Sequence, residues 1–425
     1  MGVAFRSPSG RALRGACVGS FVEWFDFGIY AYLAPIIAAN FFPAAEPTAG
    51  LLGAFALFAV AFLSRPLGGI VLGHYGDRIG RRAVLAFSVI TMAGATAAIG
   101  LLPTFAAAGV VAPLLLLLCR LLQGFSAGGE YMGAASFAIE HAPAGRHGRY
   151  AGVLGASVIV GFVVAALFIT ALTALVGNAG MAAWGWRIPF LIALPLGLIG
   201  LYLRSRVSET PEFRALQAAT AVVRTPIREA FRTERGAMVR LVGLSLPFVV
   251  GIYLLLTYTP TYLGRLGVPV GTALLSNAAV LVPVAVGMVA AGIVSDRHGK
   301  WPVMVAGTAC FLVLPPLAFL VMGAGGVGAA VAGQLLLAVP VAITGGVYFV
   351  VLVEAFPVRL RFSAGSIAYG FAQAVFGGTA PFVATLLVAR TGSDLAPAWY
   401  VTLLAVVALP VALTALRTRP AVLPR

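Results

Sequence analysis

The sequence predicts an all-α membrane protein with twelve transmembrane helices in two pseudo-symmetric six-helix bundles. Three observations lead there. Apolar runs of about 20 residues recur along the whole chain, basic residues gather in alternate loops, and a charged loop motif occurs twice. Of the 425 residues, 61% are hydrophobic and 10% charged, with a mean hydropathy of +1.02. An average soluble protein has about 25% charged residues, so this apolar excess needs lipid around it.

The spans fall at 15–39, 51–73, 83–102, 110–133, 151–175 and 187–204, then 239–263, 272–294, 301–322, 326–352, 364–388 and 396–416. The one long polar stretch between them is rich in Arg and Glu. It divides the chain into an N-terminal bundle (1–204), a central loop (205–238) and a C-terminal bundle (239–425). The first run is a full-length span carrying acids rather than a short leader, so it is expected to remain as the first helix.

A net charge of +15 invites a nucleic-acid reading, but the placement of the charge argues against it. All 28 Lys and Arg lie in the tails, the even-to-odd loops and the central loop, except five. Arg265 and Arg390 occupy opposite loops, and Arg65, Arg120 and Arg187 lie within or at the edge of spans. This asymmetry puts both termini in the cytoplasm of a cell-membrane protein. The expected surroundings are therefore lipid, with no nucleic acid. Cys17, Cys119 and Cys310 sit in spans as small apolar residues, and the four histidines lack ligand spacing, so neither a metal nor another cofactor is expected.

The repeat is visible in the loops. Gly73-His-Tyr-Gly-Asp77-Arg78-Ile-Gly80-Arg81-Arg82 recurs as Gly292-Ile-Val-Ser-Asp296-Arg297-His-Gly299-Lys300-Trp301, and Glu140-His-Ala-Pro143 recurs as Glu354-Ala-Phe-Pro357 ahead of Arg359. Parallel six-helix repeats place a substrate site between the halves near the membrane midplane. The loop charges read either as topology anchors or as a latch that closes the cytoplasmic side. Recurrence at equivalent places favours the latch, formed by Gly73, Asp77, Arg78, Gly80, Arg81, Arg82, Glu140, Asp296, Arg297, Glu354 and Arg359.

These loops resemble the signature of the major facilitator superfamily. Narrower motifs resemble its metabolite:proton symporter family: Gly19-Ser-Phe-Val-Glu23-Trp24-Phe-Asp26-Phe27, Arg65-Pro66-Leu-Gly-Gly, Arg120-Leu-Leu-Gln123-Gly124-Phe-Ser-Ala-Gly-Gly129-Glu130-Tyr131, and Trp186-Arg187-Ile-Pro189-Phe190 followed by Glu209-Thr-Pro-Glu212-Phe213. The resemblance implies uptake of organic acids, or of zwitterions such as proline and betaines, driven by protons. Osmosensory members carry a long C-terminal coiled coil. Here residues 417–425 follow the last span, so that gating is not expected.

Ionisable groups deep in a membrane are costly and mark function. Glu23, Asp26, Arg65, Arg120, Glu130 and Arg187 all fall in the first half. A rise of 1.5 Å per residue puts Asp26 and Arg120 each roughly 15 Å into the bilayer, so they are expected to pair directly and to couple proton uptake to substrate binding. A static helix lock is the alternative. Glu23, three residues before Asp26, competes as the proton carrier. Glu130 reads equally as gate or proton exit. Arg65 and Arg187 are the candidate carboxylate clamps, with a plain helix anchor the competing role for Arg187. Gln123, Tyr30, Tyr253, Tyr258, Asn277 and Gln373 complete the candidate pocket. Trp24, Phe25 and Phe27 would suit a quaternary ammonium, or simply pack. Gly124 and Gly128 read as close helix packing.

The expected function is symport of a small polar metabolite with protons by a monomer. Export or uncoupled diffusion through the same architecture is the alternative, with a non-transporting sensor behind it. No nucleophile with a partnered base suggests an enzyme.

Overall fold

The computed structural model describes residues 8–43, 47–79, 81–128, 131–205, 226–357 and 360–417. The described residues form twelve helical segments, of which nine, or ten with the bent first pair, are long and apolar enough to cross a membrane. These are α1 (Pro8–Tyr32, continued by Ala34–Phe41), α2 (Pro47–Ile79), α3 (Arg81–Leu101), α4 (Val111–Ala127, then Tyr131–Glu140), α5 (His147–Gly180) and α6 (Arg187–Ser205). The second set is α7 (Arg235–Tyr253, extended to Arg265), α8 (Val270–His298), α9 (Lys300–Gly323), α10 (Gly326–Glu354), α11 (Arg361–Ala372, extended to Thr391) and α12 (Ala396–Arg417). Within the expected central loop, a short helix over Pro226–Thr233 leads into α7.

Side chains are distributed as lipid solvation demands. Leu67, Leu175, Val286, Val313 and Leu403 face outward, whereas Glu23, Asp26, Arg65 and Arg120 are buried. The pairing α1–α5, α2–α4, α3–α4 and α3–α6 returns, shifted by six, as α7–α11, α8–α10, α9–α10 and α9–α12. One packing scheme is thus used twice along the chain. Between the halves, α5 packs on α8 and α10, and α2 packs on α11. The first described helix begins, at Pro8, and the last ends, at Arg417, on one end of the bundle, here called the basal face; the other is the distal face.

Spans α1, α7 and α11 are interrupted, and α5 is kinked near its end at Gly177. Past Leu33, α1 bends by 59°. Pro35 at the start of the next segment has no N–H to continue the ladder. In α7 the residues Leu254–Tyr258 form a π turn, and in α11 Gln373–Gly377 form another. The breaks in α1 and α7 are separated by close to the offset of the loop repeat, so the pseudo-symmetry extends to the defects. Such turns release backbone groups and widen a helix where side chains must be aimed.

Glycines permit two unusually close approaches. A Cβ built on Gly124 would sit 1.7 Å from Ala61 O, and one on Gly128 would sit 2.0 Å from Arg65 O, so α2 and α4 touch backbone to backbone. Close packing, as read from the sequence, accounts for both. Gly124→Val is therefore expected to cost about 3 kcal/mol through overpacking. The check is the unfolding temperature of purified protein in detergent, with Leu118→Val on the lipid side as control. The second approach, between Gly148 and Gly292, brings α5 against α8: a Cβ on Gly292 would meet Gly148 O at 2.2 Å.

Candidate functional site

Two buried polar systems run side by side through the first half. The first starts from α1. Glu23 meets Arg65 of α2, with Oε1 at 3.1 Å from Nη2 and both side chains no more than 4% exposed. The guanidinium carbon lies 4.4 Å from the Phe62 centroid, 4.6 Å from Phe27 and 5.4 Å from Trp24. Aromatic faces offset part of the cost of holding that charge away from water. Tyr253 of α7 closes this group from the opposite half, packing on Phe62 at 5.4 Å and on Trp24 and Phe58 at 6.1 Å.

The second system begins at Arg120 of α4. Its Nη1 donates to Gln123 Oε1 at 2.8 Å, Gln123 Nε2 donates to Thr96 Oγ1 at 2.7 Å, and the Thr96 hydroxyl faces Asp26 Oδ2 at 3.3 Å. These contacts run from the arginine to the carboxylate, with the single Thr96 hydroxyl hydrogen shared between Asp26 and Met92 O at 2.9 Å. Helical spacing makes the first link, since Arg120 and Gln123 are three residues apart on one face. Arg120 also donates to Leu57 O and Phe58 O and lies 4.1 Å from the Tyr30 ring centroid. Tyr30 in turn donates to Ala54 O.

The expected direct Asp26–Arg120 pair is therefore corrected. The two are joined through Gln123 and Thr96, because the guanidinium is drawn to carbonyls of α2 while Asp26 faces α3. Arg187 is corrected too. Its Nη1 donates to Gly100 O and Leu102 O at 2.9 and 2.7 Å, and its guanidinium stacks 4.4 Å from the Trp186 ring. It caps the free carbonyls at the end of α3 and anchors α6, a role that suits a cation at a helix C-terminus.

The second half contributes neutral groups. Asn277 donates to Leu255 O and Gln334 Oε1, and accepts at 3.1 Å from the hydroxyl of Tyr32 on α1. That last bond ties the halves on the distal side. Gln373 opens the π turn of α11 and donates to Tyr369. Tyr258 ends the π turn of α7 and stacks on Tyr262, placing it toward the distal end rather than at the acids.

The basal end is tied as well. Asp296 of α8 accepts from the backbone N–H groups of Gly148 and Arg149 at 2.7 and 3.0 Å, at the start of α5. Glu354 bridges His147 of α5, at 2.9 Å, and Lys300 of α9, while Arg361 of α11 pairs with Glu140 of α4 at 2.9 Å. Arg297 is exposed beside these contacts. Of Gly73, Asp77, Arg78, Arg81 and Arg82 only the backbone is described; Gly80, Glu130 and Arg359 lie outside the described residues.

Buried charges inside a bundle of twelve helical segments are tied by ions across the two halves at one face, and residues 16–381 match the Major Facilitator Superfamily. The chain belongs to that superfamily. It is a multi-pass membrane protein. The resemblance read from the motifs is borne out by relatives along nearly the whole chain. A proline/betaine transporter of Salmonella typhimurium is 36% identical, with 94% of this chain and 82% of the relative covered. The ectoine/proline transporter ProP of Corynebacterium glutamicum is 38% identical, with 92% and 80% covered. Among solved structures of this superfamily, a proton:xylose symporter bound to 6-bromo-6-deoxy-D-glucose shares the fold at a TM-score of 0.79 and 19% identity, over 97% of this chain and 96% of that one.

Sequence reading missed Thr96, Tyr32, Phe58 and Phe62. A threonine in a helix ordinarily bonds back to its own turn, as Thr96 also does to Met92 O. Nothing in its neighbours marks it as a bridge.

Proposed function

We propose that this superfamily member takes up a small zwitterion of the proline or betaine kind together with protons, across a cell membrane, with both termini cytoplasmic and the basal face turned inward. It works as a monomer whose two six-helix halves, 1–204 and 239–425, expose the site to each side in turn. The observation that carries this reading is the Arg120–Gln123–Thr96–Asp26 chain lying beside the Glu23–Arg65 pair. In a medium of low dielectric, a carboxylate arriving at this cluster adds charge that must be balanced. Asp26 balances it by taking a proton, and the donors running from Arg120 pass the change across α3. Arg65 is the carboxylate clamp. Gln123, Tyr253, Asn277 and Gln373 shape the space between the halves, and the basal ties hold the inward side shut.

Protein reconstituted in liposomes, given labelled proline or glycine betaine, is expected to accumulate substrate when the outside is acidified. Asp26→Asn is expected to lose accumulation but keep exchange of substrate down its gradient, a fall of about a hundredfold in coupled uptake. Retained accumulation in Asp26→Asn, with loss in Glu23→Gln, would move the proton to Glu23. Absence of any gradient-driven uptake by the wild type would refute proton coupling.

A further inference from the structure

The Arg65 guanidinium sits where a ligand's cation would be comfortable. Three aromatic rings from α1 and α2 lie within 4.4–5.4 Å of its carbon, and a fourth, Tyr253, packs against two of them from the other half. Trp24, Phe27, Phe62 and Tyr253 are all buried. Three rings around one positive charge, with a fourth packed on two of them, make an aromatic box, the arrangement that selects methylated ammonium groups, whose charge is spread over a surface without strong donors. A guanidinium buried at 3% exposure normally spends its five N–H groups on acceptors. Here the Nε and Nη1 atoms have no hydrogen-bond partner among the described residues, and Nη2 faces only Glu23. The box thus holds an arginine whose donors are unspent.

We propose that the Trp24–Phe27–Phe62–Tyr253 box is a cation subsite which Arg65 fills while the transporter is empty. The substrate's ammonium takes it over once the substrate's carboxylate has drawn the guanidinium aside. This deepens the functional reading above and rests on it. The Glu23–Arg65 pair is an internal zwitterion, and the ligand that replaces it without changing the total charge is another zwitterion. A carboxylate engages the unspent donors of Arg65 in a two-point contact, and the ammonium then lies against the vacated ring faces with Glu23 beside it. A cation without a carboxylate meets Arg65 already in place and is repelled. An anion without an ammonium leaves the box empty and Glu23 facing a second negative charge. Because one wall belongs to α7 and three belong to α1 and α2, the box is complete only when the halves meet, which makes closure sensitive to what fills it.

The test uses full-length protein in detergent or liposomes and three probes: glycine betaine, proline and choline, the last having the trimethylammonium without the carboxylate. The wild type is expected to bind both zwitterions and to bind choline at least a hundredfold more weakly. In the double variant Glu23→Gln/Arg65→Met, which removes both charges and leaves no unpaired ion, choline binding is expected to tighten at least tenfold while glycine betaine binding falls. Tyr253→Phe should keep glycine betaine affinity, and Tyr253→Leu should weaken it about tenfold. A monodisperse double variant that gains nothing for choline, or a Tyr253→Leu variant that binds glycine betaine as the wild type does, overturns the subsite while uptake by the wild type leaves the function standing. A wild type that binds neither zwitterion overturns the function, and the subsite with it.

Discussion

Glu23→Ala is expected to lower the stability of the folded protein by about 3–5 kcal/mol, because it strands the Arg65 charge among aromatic rings with no counter-ion. Most of that loss should return when Arg65→Met is added, since the cost is the isolated charge and not the missing bond. Thermal unfolding of the two single variants and the double variant in one detergent makes a complete cycle. Near-additive losses would mean that the pair does not act as a unit. The same cycle separates stability from transport, because the double variant is expected to fold and yet fail to accumulate a zwitterion.

The next largest effect is expected at the basal face. Asp296 caps the start of α5 from α8 with two charge-assisted hydrogen bonds, so it holds one half by the end of a helix belonging to the other. Asp296→Ala removes roughly 3 kcal/mol from the state closed on that side, which corresponds to about a hundredfold in population. Spin labels at the exposed positions 146 and 297 should then show a second, longer distance that the wild type lacks. An unchanged distribution would mean that the remaining ties, Glu354 with His147 and Lys300, and Arg361 with Glu140, suffice alone. The recurrence of these charges in both loop motifs would then reflect membrane orientation.

The fold was legible because lipid leaves so few options: every span must be apolar, helical and long. The four central charges were legible for the same reason, each being too costly to keep without a use. Their partners were not. Glu23 and Asp26 are three residues apart and share one helical face, yet one turns to α2 and the other to α3. Spacing along a helix fixes direction only to within a sector wide enough to span two neighbours. Arg187 shows the opposite limit. A guanidinium fits a substrate carboxylate and two spare helix carbonyls equally well, and its position at the end of α3 decides between them. The Arg120–Gln123 link could be read because both partners lie on one helix. The Thr96 link needed a third helix whose register no local pattern records.

Between Gly148 and Gly292 the two halves meet through main chain and small side chains. Surfaces of that kind interlock little, so at this contact one can roll over the other while re-forming nearly equal contacts, with the larger side chains Met288 and Phe349 coming in only further along α5, at Gly155. Resistance to the roll is then concentrated in the few ionic clasps at its ends.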